Sequence, residues 1–147
     1  MNPDHAATLL KDSTKSCVCH VPQEDLPRLL APASTAGLAV RRIDLKGVRS
    51  KEALLDRVSS ALSFPEWFGR NWDAAADCLS DLSWLPAPGY VLTLENSEEL
   101  RIRRSVEFSI AVQVVADAAA HWRERRVPFW VLLDAHVEDV PAFADIE

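Results

Sequence analysis

The sequence predicts an α/β fold, a small parallel sheet of about three strands with helices packed against it. Three observations carry this. Tyr90-Val91-Leu92-Thr93-Leu94-Glu95 and Phe129-Trp130-Val131-Leu132-Leu133-Asp134 are nearly continuous apolar runs, the pattern of strands covered on both faces. Between them Ile110, Ala111, Val114, Val115, Ala118 and Trp122 recur at the helical period, so a helical crossover joins the two strands, which implies a right-handed parallel connection. Leu38 to Leu45 adds a third strand-like segment and is followed at once by another helical pattern, a β-then-α unit.

Taken in order, Met1 to Ser16 shows no periodicity and mixed charge, and reads as a frayed end. Cys17 to Val21 suits a short strand. Gln23 to Leu30 has helical spacing at Leu26, Leu29 and Leu30, with Pro32 and the Ala33-Ser34-Thr35-Ala36-Gly37 run expected to break it. Residues 1–37 are therefore an N-terminal extension, with a possible strand at 17–21 and helix at 23–30, and 38–147 form the main domain. After Lys46-Gly47, Ser50 is placed to cap a helix whose apolar positions are Leu54, Leu55, Val58, Ala61 and Leu62. Phe64-Pro65 ends it, because the residue before proline is disfavoured in the α region.

Asn71 caps the next helix, expected to run to about Trp84 before Pro86 and Pro88 forbid continuation. Its inward stripe is Trp72, Ala75, Leu79 and Leu82, with Cys78 beside it as a small buried hydrophobe. The last long helix ends at Arg123, Arg125 and Arg126, cations suited to its negative end.

Composition narrows the function classes. Sixteen Lys and Arg stand against 22 Asp and Glu, a formal net charge of -6, which argues against general binding to nucleic-acid phosphates and makes a basic protein the better partner. No apolar run is long enough to cross a bilayer, and the start Met1-Asn2-Pro3-Asp4-His5 lacks the basic and apolar blocks of an export signal, so a cytosolic location is expected. Cys17, Cys19 and Cys78 are an odd set that suits reduced thiols. Cys17-x-Cys19-His20 offers three soft ligands where a closed zinc site wants four, and no second Cys/His cluster exists, so no metal is expected. With four glycines, a nucleotide-cradling loop is nearly excluded, and no cofactor is expected. His5, His20, His121 and His136 are scattered and read as surface or capping residues.

The chemistry concentrates between Phe64 and Leu79. Residues four apart share a helix face, so Asp73 and Asp77 project together, and Asp81 extends the row by a turn. Asp73 also lies in the first turn, where the helix dipole favours an anion. Trp67, Trp72 and Trp84 lie in or beside this helix; Trp72 falls on the inward stripe, while Trp67 in the turn is left open between buried and exposed. Aromatic side chains beside exposed charge suit a protein-binding patch. Paired carboxylates also serve hydrolases, but here no neighbouring His, phosphate loop or strained Ser/Cys turn accompanies them.

The run Pro65-Glu66-Trp67-Phe68-Gly69, Asn71 two residues on, and Asp73-Ala74-x-x-Asp77-Cys78-Leu79 together resemble the barstar family of intracellular inhibitors of barnase-type ribonucleases. The resemblance extends over roughly Val40 to Asp134. It implies a barstar-like α/β fold whose acidic helix and following loop plug the active site of a basic, secreted, guanyl-specific ribonuclease. It further implies that Asp77 is the central anion meeting the enzyme's arginine and histidine side chains, that Asp73 supports it, and that Trp67 packs over the catalytic histidine. Asn71, Trp72, Ala74, Ser80 and Asp81 match neighbouring contact positions. This chain departs from the family at Ala76, where the family carries a tryptophan; the loop tryptophan is displaced to Trp84, with Leu82 at the ungapped position. The linker Leu85-Pro86-Ala87-Pro88-Gly89 is longer. For a family glutamate late in the last helix Glu124 is the nearest candidate and His121 the ungapped match. The implied protein is a monomer when free, performs no chemistry, and binds a protein rather than nucleic acid or membrane. Two other readings stay open: a barstar-fold module for a different toxin or protein partner, and a carboxylate-dependent hydrolase.

Overall fold

The computed structural model describes residues 2–146, leaving Met1 and Glu147 outside. Four parallel strands form one sheet in the order β1-β4-β3-β2: β1 (Val18–His20), β2 (Ala39–Asp44), β3 (Tyr90–Glu95) and β4 (Phe129–Leu133). The two apolar runs are the central strands, and every residue of both is buried. Six helices surround them: α1 (Pro3–Leu10), α2 (Leu26–Thr35), α3 (Lys51–Leu62), α4 (Trp72–Asp81), α5 (Glu98–Arg103) and α6 (Ser105–Glu124).

The pleat divides the core in two. Leu92, Leu94, Phe129, Val131 and Leu133 join a cluster with Leu54, Val58, Leu79, Phe108 and Val115, which come from α3, α4 and α6. Val91, Trp130 and Leu132 point to the other face and meet Leu9, Leu10, Leu26, Leu29 and Leu30 of α1 and α2. The fold is thus three-layered, and the extension covers one face of the sheet.

The three expected strands are joined by a fourth, which the extension supplies where its strand at 17–21 is expected. Other expectations are corrected. The segment after Met1 is not frayed: Asn2 caps α1 by accepting from the His5 N–H at 2.7 Å, Pro3 occupies the first helical position, and Ala6, Leu9 and Leu10 are buried. An eight-residue helix is too short to show its period clearly against mixed charge, and its apolar side finds a partner only in the fold. The second helix does not stop at Leu30. It continues through Pro32 to Thr35, since a proline removes one hydrogen bond without outweighing the burial of Leu29, Leu30 and Ala33. Gly37 at φ +87 then makes the turn into β2. The long crossover is two helices, α5 and α6, broken at Arg104.

On β1 the alternation explains the Cys17-x-Cys19-His20 motif. Cys19 joins the α1–α2 side of the core, so neighbouring His20 faces the other way. The His20 Nδ1–H donates toward the carbonyls of Leu133 and Ala135, at 3.2 and 3.0 Å. Among the described residues no three His, Cys, Asp or Glu side chains are grouped to hold a metal.

One buried carboxylate stitches the C-terminal edge of the sheet. Glu95, at the end of β3, accepts two hydrogen bonds from Arg42 of β2 at 2.8 and 2.6 Å, one from Thr93 at 2.6 Å and one from Gln23 of the extension at 2.8 Å. The Arg42 guanidinium above all, with the Thr93 and Gln23 donors, overcomes desolvation and holds its carboxyl down at about 2. A carboxyl whose folded value lies below its unfolded one adds stability above the unfolded value, near 4.5, and loses it as pH falls toward 2. An Arg42→Ala variant is therefore expected to be less stable at pH 7, with the gap to the parent narrowing from pH 4.5 downward. Urea unfolding at pH 7 and pH 3 checks this, and an unchanged gap would remove Glu95 ionisation as the cause.

Candidate functional site

The acidic helix is set by local rules at both ends. The carbonyl of Asn71 accepts the Ala75 N–H at 2.9 Å, while its side-chain Oδ1 accepts the Ala74 N–H at 2.8 Å and its Nδ2 donates to the Gly69 carbonyl at 3.3 Å. The Asn71 amide is therefore spent on the turn. Arg70, at φ +55, pairs with Asp56 of α3 and ties the turn to the preceding helix.

The helix ends at Asp81 rather than near Trp84, because Leu82 takes a left-handed backbone at φ +49. For a leucine this costs about 1–2 kcal/mol. Its complete burial offsets that by roughly 1.5–3 kcal/mol. No sequence signal marks the stop, since leucine is a good helix former. Ser83 and Trp84 consequently lie in the loop.

Ala75, Cys78, Leu79 and Leu82 are buried under the helix. Asp73, Asp77 and Asp81 lie on the opposite, exposed side, with Ala74, Ala76 and Ser80 half-buried between. No Lys, Arg or His among the described residues forms an ion pair with any of the three aspartates. Asp81 accepts from the Ser83 N–H at 3.3 Å and is otherwise directed to solvent. Like charges at i and i+4 disfavour a helix by about 0.2–0.5 kcal/mol per pair, and no ion pair among the described residues offsets this.

The tryptophans divide by role. Trp72 packs against the α6 side of the core and its Nε1 donates to Glu107 at 3.1 Å, which takes it off the acidic face. Trp67 is 63% exposed. Trp84 is half-buried, with Nε1 donating to the Leu62 carbonyl at 3.0 Å, and stands edge-on to both Phe64 and Trp67. Trp122 of α6 donates from Nε1 to the Leu79 carbonyl at 2.7 Å, so α4 and α6 run side by side, joined at both ends. Glu124 is exposed two residues beyond Trp122, at the end of α6 that reaches the last turn of α4, whereas His121 is half-buried with its ring against Trp122.

The resulting surface is a row of three exposed carboxylates on one face of α4, with no ion-pair partner among the described residues, and an exposed indole in the turn that precedes the helix. Such a surface can enter a cationic cleft and form charge-assisted hydrogen bonds there. The tertiary ties of Trp72 to Glu107, Trp84 to Leu62 and Trp122 to Leu79 carry no sequence signature, because each joins residues far apart in the chain.

No helix among the described residues is long and apolar enough to cross a membrane. A family model described as barstar (barnase inhibitor) matches residues 38–134. The match includes the turn, α4 and α6, and begins after α2. No curated protein matches the chain.

Proposed function

Because this chain belongs to the barstar family, we propose that it is an intracellular inhibitor that occludes the active site of a basic, secreted, guanyl-specific ribonuclease of the barnase type, protecting the cell that makes both. The observation that carries this reading is the row Asp73, Asp77 and Asp81, exposed and without an internal counter-charge beside exposed Trp67. A ribonuclease holds its substrate's phosphates with arginine, lysine and histidine side chains, and a rigid row of carboxylates presents the same charge without a scissile bond. Asp77, central in the row, is the main anion. Asp73 at the positive end of α4 and Asp81 at its other end flank it, and Trp67 covers an imidazole or guanidinium plane. Asn71 contributes by holding the turn and Trp72 by fixing α4 on α6, while Ala74, Ala76 and Ser80 allow close approach. Glu124 extends the acidic surface from α6.

The test is inhibition of RNA cleavage by a barnase-type ribonuclease, together with stopped-flow association at graded salt. A complex steered by these carboxylates is expected to form more slowly as ionic strength rises, on the order of tenfold between 50 and 500 mM salt. A rate indifferent to salt would count against the acidic face. Ala76 supports a second reading, a different toxin or protein as partner, because a small half-buried residue there leaves the face without an aromatic anchor at that position. An immobilised, catalytically inactive barnase-type ribonuclease that fails to retain the chain would favour this alternative.

A further inference from the structure

Trp67 projects from a turn between two helices, with no regular backbone element to orient it. A stack of rings does so instead. Trp67 meets Trp84 with centroids 6.1 Å apart at 88°, Trp84 meets Phe64 at 6.0 Å and 86°, and Phe64 meets Phe68 at 5.1 Å and 69°. These are the edge-to-face geometries that aromatic quadrupoles prefer. Trp84 is pinned in turn by its Nε1–H on the Leu62 carbonyl, one of the acceptors that the end of α3 leaves without an intrahelical partner.

We infer that Trp84 is a positioning residue: it holds the Trp67 ring in the pose that meets a planar cationic group of the partner, and does not itself touch that partner. The identity of the partner rests on the ribonuclease reading above. An exposed indole in a turn would otherwise lose rotamer freedom on binding, and fixing it beforehand removes that loss. The choice of a cation over a neutral ring follows from the electron-rich indole face and from the unpaired Asp73 and Asp77 on the neighbouring helix. With Ala76 small, Trp67 is the exposed indole of this surface, so its orientation matters more.

Trp84→Leu removes both the ring edge and the N–H. It is expected to weaken binding of a catalytically inactive barnase-type ribonuclease roughly two- to tenfold, the range of one aromatic pair. In the free protein it is expected to lower the side-chain order parameter of the Trp67 indole N–H measured by NMR. Trp84→Phe, which keeps a ring edge, should recover most of both. In a Trp67→Ala background, Trp84→Leu should cause no further loss, because the effect passes through Trp67. Additive losses in that background would mean that Trp84 contacts the partner directly, and unchanged Trp67 order in the Leu variant would mean that it positions nothing; either overturns the inference. Failure of the parent chain to bind would overturn the ribonuclease reading, and Trp67 order in the free protein would still decide the role of Trp84.

Discussion

Replacing Asp77 by alanine is expected to weaken the ribonuclease complex by two to four powers of ten, the equivalent of the ~3–5 kcal/mol lost when one member of a desolvated, hydrogen-bonded ion pair is removed. The size follows from what remains: partner cations that stay buried without their anion. The free protein should hardly notice, because Asp77 is exposed and makes no hydrogen bond or ion pair among the described residues. Asp77→Asn sharpens the experiment, since it keeps the shape and removes the charge. That variant should bind almost as poorly as the alanine variant, yet be slightly more stable when free, because the like-charge repulsions of Asp77 with both Asp73 and Asp81 along α4 disappear. Titration calorimetry against an inactive ribonuclease, paired with thermal melts, reads both. Asp12→Ala, in the turn just after α1, serves as the reference carboxylate. If Asp12→Ala and Asp77→Ala cost the same affinity, the central role assigned to Asp77 is wrong.

Leu10→Ala should have the largest effect on folding among changes outside the family match. Leu10 is fully buried at the end of α1, and its carbonyl accepts the Trp130 Nε1–H at 2.9 Å from the middle of the sheet. Loss of a buried leucine costs about 2–5 kcal/mol. For a chain of this length that corresponds to a fall in Tm on the order of 10 °C. His5→Ala, exposed on the same helix, should melt with the parent. The result separates two views of the extension. An appendage would tolerate the change, whereas a layer that covers Val91, Trp130 and Leu132 would not. Because α1 and α2 lie on the opposite side of the sheet from α4, a folded Leu10→Ala protein should keep its affinity.

Legibility in the sequence followed the range of the interaction. Tyr90–Glu95 and Phe129–Leu133 could be recognised as central strands because burial on both faces leaves an unbroken apolar run. Ser50 and Asn71 could be placed as caps because a side chain bonding a backbone N–H three residues on is a local event. Asp73 and Asp77 could be placed on one face because the α-helical period alone decides it. α1, and the part of α2 beyond Leu30, lack a clear sequence signal because both depend on covering a sheet face built largely from Val91, Trp130 and Leu132, which lie far along the chain. The end of α4 at Asp81 is not legible in the sequence, because the left-handed Leu82 is held by its buried side chain and not by a residue that favours that conformation.

The sequence by itself determined the α/β class, the caps, the central strands and the acidic face of α4, all matters of period and nearest neighbours. Tertiary structure alone decided that the extension is a third layer, that the inward Trp72 finds Glu107 as the acceptor for its indole N–H, and that Trp67 is left outside on a pedestal of Trp84 and Phe64. The physical reason is the same in each case. An aromatic ring or a short amphipathic helix has several nearly equal places to go, and which one it takes is set by contacts with segments that only folding brings alongside it.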